Sequence, residues 1–599
     1  MSEYKKVHFG PNKTKTFLDD KGFLHFQLEE SLSDYPNRFT DRLQHFAEVT
    51  PKQAFLSKKN KENWHSLTYS EAFLKVEKLA QVLIDFDFRR NEGVVILSEN
   101  SMEHALIALA ALHIGIPYSP ISPPYSLVSN DFGKLRHCLS VMNPKVIFAQ
   151  NGKVYENALS VAKEMFPNAI VICAEESPEA VFADLLETDV TEEVMERHEL
   201  VNSDTPAKIL FTSGSTGLPK GVTNTHGMWC ASLQQITQAL PFMADTPPVF
   251  VDWLPWNHTF GGNQNFGLTV FNGGTLYLDE GRPTNRDMEK TIQNLREISP
   301  TAYFNVPKGF EMLVSALEKE PELCKSFFKN LQILFYAGAS MAQPIWDALE
   351  RLSIETIGAK IPIITGLGCT EAGPSAMFAN WGGAFSGLLG VPVAGLDIKL
   401  VPDGDKVEAR YKGPNITIGY WKNEEATKAS FDEEGYYCSG DAVKFLDPLD
   451  TDKGMVFDGR IAEDFKLNTG TWVNVGILKA KVISKGSPII QDVVLAGLDQ
   501  SFVGAILFLN EEACRGLVEE DISRKDLFEH LVILQAVQQK IDEINSSSTG
   551  SSTFIKKFEI AIESPSIDVG EITDKGSLNQ RVILKHRAHL VAKLYENGN

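Results

Sequence analysis

Short apolar runs of four to six residues recur at 94–97, 146–149, 170–173, 209–212, 249–254, 275–278, 333–336 and 361–365. Runs that short, with little polar alternation, suit strands buried on both faces. Helix-length segments separate them. Within 70–86, Ala72, Phe73, Val76, Leu79, Ala80 and Leu83 recur at helical spacing, and Ser70 stands where a cap belongs. The longest apolar stretch, 105–116, is interrupted by His113 and is too short to span a bilayer, so it reads as a buried helix. Alternation of this kind predicts an α/β class built on mainly parallel sheets flanked by helices.

The pattern changes near Asp458. A charged segment at 460–466 is followed by a hairpin expected over 493–509 and a helix expected over 526–544. A polar, serine-rich stretch at 545–553 reads as a loop. These features predict a large N-terminal domain, 1–458, and a small mobile α+β C-terminal domain, 459–599. No repeat occurs at solenoid spacing.

Composition narrows the class. The 599 residues are 43% hydrophobic and 23% charged, which is ordinary for a globular chain and excludes disorder as its description. The net charge of −21 speaks against a nucleic-acid-coating protein but leaves room for one anionic ligand in a locally positive pocket. Seven scattered cysteines form no CxxC pair, so reduced thiols and a cytoplasmic setting are expected. MSEYKKVHFG has no apolar core of signal-peptide length.

The richest chemistry lies at TSGSTGLPKG (212–221), directly after the apolar run at 209–212. Glycines at 214, 217 and 221 let backbone N–H groups approach an anion. Thr212, Ser213, Ser215 and Thr216 offer hydroxyls, and Lys220 a positive charge. Together they can cradle phosphate oxygens, as a generic Gly/Ser surface loop would not. The segment is no P-loop, because Pro219 precedes Lys220.

This segment resembles the phosphate-binding signature of AMP-forming acyl-adenylating enzymes, and further segments from about Ser66 to Arg587 match in order. DWLPWNHTFGG (252–262) resembles the acyl-pocket segment, with His258 beside the substrate. AGASM (337–341), with Gly338, Ala339 and Ser340, resembles the turn that contacts adenine. In TGLGCTEAG (365–373) the resemblance implies that Gly368 and Thr370 meet the nucleotide and Glu371 binds Mg²⁺. GYYCSGD (435–441) ends in Asp441, read as a turn carboxylate for the ribose hydroxyls, and DGRIAEDFK (458–466) carries Arg460, a second ribose contact. Each has a plainer alternative: a core histidine at 258, a helix-start glutamate at 371, a solvated aspartate at 441.

NHTFGGN (257–263), RIAEDFKLNTGTWVNVG (460–476) and ITDKGSLNQR (572–581) resemble the feruloyl-CoA synthase branch more than other members. The resemblance implies an acid:CoA ligase for a hydroxycinnamic or other aryl acid, with ATP, Mg²⁺ and CoA and with acyl-AMP as intermediate. A medium- or long-chain fatty acid ligase and a non-catalytic nucleotide- or acyl-binding relative stand as alternatives. Trp256, His258, Phe260, Tyr336 and Gly366 are expected to line the acyl pocket, and Lys466 and Gly470 to serve the thioester step. No nucleic-acid partner or membrane span is expected, and a homodimer is left open. Three positions depart from the family pattern. Leu367 replaces an adenine-stacking aromatic, Ala462 stands at the hinge, and Ser577 stands where a lysine is usual. The expected substitute is Lys575, two residues earlier, acting with Lys220, His258 and Thr370 in catalysis.

Overall fold

Every apolar run expected as a strand lies in a parallel pair in the computed structural model, which describes residues 3–212, 218–339, 341–518, 520–548, 550–573 and 576–596. Among these residues a seven-stranded sheet is centred on Gly93–Leu97, Pro144–Asn151 and Tyr118–Pro120, with Pro206–Thr212 and Lys220–Thr225 at one edge. Its central strand is buried along its whole length. A four-stranded sheet joins Val249–Asp252, Thr275–Leu278, Ala54–Asn60 and Asn63–Thr68.

The third, eleven-stranded sheet is parallel only across Ala302–Asn305, Ile333–Tyr336 and Ile363–Gly368. From Ser375–Phe378 onward its pairs are antiparallel. The cause is local: Asp397–Asp403 and Lys406–Lys412 are joined by a tight turn at Gly404, φ +59°, and a hairpin can only pair antiparallel. Parallel pairing therefore describes two sheets, each apart from one antiparallel edge pair, and one end of the third.

The helix expected over 105–116 runs Met102–His113 and is buried from His104 to its end. Burial of each of its large aliphatic side chains favours folding by roughly 1.5–3 kcal/mol. The helix expected over 70–86 runs Tyr69–Asp85, but its cap is Thr68, not Ser70. Thr68 accepts a hydrogen bond from Glu71 N–H, and the Glu71 carboxylate accepts one from Thr68 N–H. A glutamate three residues after a threonine makes that reciprocal cap.

The last strand of the large sheet, Met455–Arg460, leads into a second unit with its own core around Val482, Val493, Leu507 and Val537. Its hairpin is Ile490–Ala496 with Val503–Leu509, and Ile555–Ile560 adds a parallel third strand. The single helix expected over 526–544 is two, Arg524–Phe528 and Leu531–Ser546. His530 caps the second, its side chain accepting from Val532 N–H. No helix of the described residues is long and apolar enough to cross a membrane.

Candidate active site

Strand Pro206–Thr212 turns back as Lys220–Thr225, with Thr212 opposite Lys220. Residues Ser213, Gly214, Ser215, Thr216 and Gly217 lie between them and outside the described residues. The segment 419–421 is laid along the returning strand: Trp421 N–H donates to Gly221 O at 2.7 Å and Thr223 N–H to Gly419 O at 3.0 Å. This places the Tyr420 ring 5.0 Å from the Lys220 ammonium. The Tyr420 hydroxyl donates to Glu371 Oε1 at 2.9 Å. Burial, reinforced by the Glu371 charge, raises the Tyr420 phenol above its ordinary value, so it stays a donor.

Glu371 and Thr370 are buried on the short 3₁₀ turn Thr370–Ala372, which follows strand Ile363–Gly368. Thr417 N–H holds the turn through Glu371 O at 2.8 Å. Gly368 is obligatory, since a Cβ there would lie 1.9 Å from Pro374 O. Leu367, also on this strand, is half-buried.

Asp441 lies within strand Tyr437–Phe445, not on a turn. The preceding Gly440 has φ +69°, and the register shifts between Asp441 and Val443. That irregularity turns the carboxylate inward, where it is 4% exposed. Its register partner Arg460 stands 3.3 Å from Oδ1 without the alignment of a hydrogen bond, and Oδ1 has no hydrogen-bond partner. Burial raises the carboxyl's pKa, and Arg460 only partly offsets it. The half-buried Cys369 thiol is pushed up by desolvation, and the charges of Glu371 and Asp441 add to it.

The acyl-pocket residues separate into two groups. His258 caps the buried π-helix Thr259–Asn265, its Nδ1 accepting from Phe260 N–H at 3.3 Å. Phe260 meets Phe335 edge-on at 5.7 Å, and a Cβ on Gly366 would lie 3.8 Å from the Phe335 ring. Trp256 packs on His104 and Phe266 in the same core. Tyr336 turns to the other face of its strand, edge-on to Trp346 in a second core. Alternation along a strand sends neighbours to opposite faces, so Phe335, not Tyr336, faces Phe260. Gly338, φ +89°, and Ala339 form the exposed turn after that strand, and Ser340 lies outside the described residues.

The second unit presents two loops. Lys466 and Trp472, on the hairpin containing Gly470, both reach Asp405 of the large sheet, at 3.4 and 2.9 Å. At the other end, Asp568 accepts from Ser129 Oγ at 2.7 Å and Asn130 N–H at 3.2 Å, while Lys134 Nζ donates to Ile567 O at 2.6 Å. Helix Gly133–Met142 begins there, and one turn on His137 touches Pro219 O at 2.8 Å. Loop 564–571 and Pro219 are thus both held by one helix, through side chains about one turn apart. The turn after it is closed by Thr573 N–H to Ser577 O at 2.9 Å, and Ser577 is exposed. Lys575 falls outside the described residues.

Two residues that sequence reasoning missed complete this picture. Tyr420, joining Lys220 to Glu371, carries no spacing signature. Lys208 is hidden inside an apolar strand whose neighbours suggested only burial.

Residues 43–421 match the family of AMP-binding enzymes, and residues 464–599 the C-terminal domain of AMP-binding enzymes. The chain belongs to this family and is an enzyme of the AMP-forming acid:CoA ligase class, which works through an acyl-AMP. Long-chain-fatty-acid–CoA ligase ACSBG2 of Xenopus laevis is 23% identical, over 91% of this chain and 82% of that protein. Probable 4-coumarate–CoA ligase 2 of Dictyostelium discoideum is 24% identical, over 77% of this chain and 83% of that protein. The anthranilate CoA ligase AuaEII in complex with anthranoyl-AMP shares the fold, with TM-score 0.68 and 18% identity over 94% of this chain and 99% of that one.

Proposed function

We propose that the chain ligates a hydroxycinnamic or other aryl acid to free CoA, in two half-reactions at the centre around Glu371 and Asp441. In the first, the acid's carboxylate oxygen attacks the α-phosphorus of ATP and pyrophosphate leaves. In the second, the thiolate of CoA attacks the acyl carbon and AMP leaves. Both reactants of the first step are anions, so the protein's task is to position and neutralise them. Lys220 and the N–H groups of 213–217 serve the phosphates, with Thr370 beside them. Asp441 and Arg460 serve the ribose, and Gly338, Ala339, Ser340 and Gly368 the adenine face.

The observation that carries this reading is the buried Asp441 carboxylate, whose Oδ1 has no hydrogen-bond partner among the described residues and which feels the Glu371 charge. A carboxylate left so is stabilised once two hydroxyls donate to it. Glu371 fits Mg²⁺: Tyr420 occupies Oε1, Oε2 has no hydrogen bond among the described residues, and one carboxylate plus substrate phosphates is an ordinary Mg²⁺ set. When bound there, the ion would supply positive charge to the phosphates. The Trp256, Phe260 and Phe335 wall supports a flat acyl group, with His258 at its start.

Lys575 is assigned to the first half-reaction; the contacts of 567–568 with Ser129 and with Lys134, whose helix also touches Pro219, support it. Lys466 and Gly470 are assigned to the second, after a rotation about Ala462, since here Lys466 and Trp472 of their hairpin are paired with Asp405. The test is a panel of ferulate, p-coumarate, benzoate and decanoate with ATP·Mg and CoA, read by mass spectrometry of thioesters. Aryl thioesters are expected, and decanoyl-CoA alone overturns the aryl assignment. Lys575→Met is expected to lose adenylate formation while still converting supplied acyl-AMP. Adenylation at the wild-type rate overturns the role of Lys575.

A further inference from the structure

Lys208 stands in the middle of strand Pro206–Thr212 and is 1% exposed, between Ala207 and Ile209 at 0%. Among the described residues its ammonium makes no hydrogen bond or ion pair. Its neighbours are the ring faces of Trp229 and Tyr118, at 5.2 and 5.6 Å. Two such contacts return on the order of 2 kcal/mol each when dry. Burying an ammonium costs several kcal/mol, so the rings alone do not explain a lysine here. Burial accordingly pushes its pKa down to about 7.

The backbone of the acyl-side helix packs directly over the ammonium, which only a glycine there permits. A Cβ on Gly262 would lie 2.5 Å from Lys208 Nζ. Gly262 belongs to the π-helix that begins after His258 and carries Phe260, so the charge abuts the wall assigned to the acid. Insertions of this kind frequently mark functional sites. The same helix leaves polar atoms unpaired: Asn263 Oδ1 and Gln264 Nε2 are buried without a partner. Asn263 and Lys208 share Trp229 as a neighbour: the Asn263 main-chain O takes Trp229 Nε1–H at 3.0 Å, and its Nδ2 donates to Asn224 Oδ1 at 2.8 Å. A buried cation and, on the helix packed over it, a buried carboxamide oxygen both lack full partners among the described residues.

We propose that Lys208 is a specificity-determining residue: with Asn263 and Gln264 it receives an oxygen on the acid remote from the carboxylate, such as a phenolic hydroxyl. This rests on the acid-ligase reading and adds to it what the far end of the acid must carry. The ammonium donates to the oxygen's lone pair, and Asn263 Oδ1 accepts the hydroxyl proton. An acid lacking that oxygen leaves the buried groups unpaired, which is the strongest discrimination a binding site achieves.

The experiment compares kcat/KM within two matched pairs, p-coumarate with cinnamate and 10-hydroxydecanoate with decanoate, for wild type and Lys208→Met. Wild type is expected to prefer the oxygenated member of the pair it accepts by roughly 10-fold or more. In Lys208→Met the ratio falls toward one, through loss of the oxygenated acid. The ligand-free variant melts no lower than wild type, since a near-isosteric apolar side chain replaces an unpaired charge. Lys208→Gln, which keeps a donor, retains part of the preference. A wild-type ratio near one overturns the proposal, as does a preference that survives Lys208→Met. Turnover of the aliphatic pair alone overturns the aryl assignment and leaves Lys208 to be judged on that pair.

Discussion

Asp441 and Lys208 are the two residues whose proposed roles rest most directly on unpaired buried charge. Both hold charge away from water without a full set of protein partners. For Asp441 the expected outcome follows directly. Asp441→Asn removes a buried charge, so the ligand-free protein melts no lower. ATP loses a charged acceptor worth about 1.5–3 kcal/mol, or roughly 10- to 100-fold in affinity. Calorimetry of ATP binding and a thermal melt on the same sample check both halves, and unchanged ATP affinity would detach Asp441 from the nucleotide. What sequence could deliver at this scale was uneven. Glu371, Asp441 and Arg460 sit in segments whose order along the chain is informative. Tyr420 acts through a ring at one end and a hydroxyl at the other, across residues 200 apart from Lys220 in the chain and 49 from Glu371. No spacing rule encodes such a bridge. Phe335 and Tyr336 are adjacent aromatics, and only the strand's placement between two cores decides which faces Phe260.

Elements were legible where burial acts on both faces, because a short apolar run flanked by helix-length segments fits little besides a covered strand. The antiparallel part of the large sheet was less so: strands such as Asp397–Asp403 are only partly buried and are joined by turns such as Gly404, and their pairing depends on distant neighbours. The helix Met102–His113 carries the clearest consequence for stability. His104 and His113 are buried on it, and burial lowers both to about 3 from 6.5. Each folded pKa lies below its unfolded value. The unfolded chain therefore takes up a proton first as pH falls, and the folded state loses ground from about pH 6.5 down toward 3. The slope approaches about 1.4 kcal/mol per pH unit for each histidine. Melting temperature should decline as pH falls below about 6. His113 stacks on His198 at 3.9 Å and leaves Nε2 without a partner, so His113→Leu should make the decline shallower. An unaltered slope in that variant would place the acid sensitivity elsewhere.

At the scale of the whole molecule, the two units touch at two places that the proposed half-reactions use in opposite senses. Asp568 grips 129–130 beside the helix that also touches Pro219, whereas Asp405 holds Lys466 and Trp472 away from the site. Each contact can be removed without entering the chemistry. Losing a carboxylate that accepts two hydrogen bonds at a partly exposed interface costs about 1 kcal/mol, or roughly 5-fold in the docked population. If the arrangement seen here is the adenylating one, Asp568→Ala slows pyrophosphate release by about that factor. The same variant leaves thioester formation from supplied acyl-AMP unchanged or faster. Asp405→Ala frees the other hairpin, so it should quicken the thioester step and leave adenylation within about two-fold. Measured separately by pyrophosphate release and by CoA consumption, the two variants should move the ratio of half-reactions by making the second relatively faster. Equal slowing of both half-reactions by Asp568→Ala would mean that the contact only braces the fold, and that the second unit does not change partners between the steps.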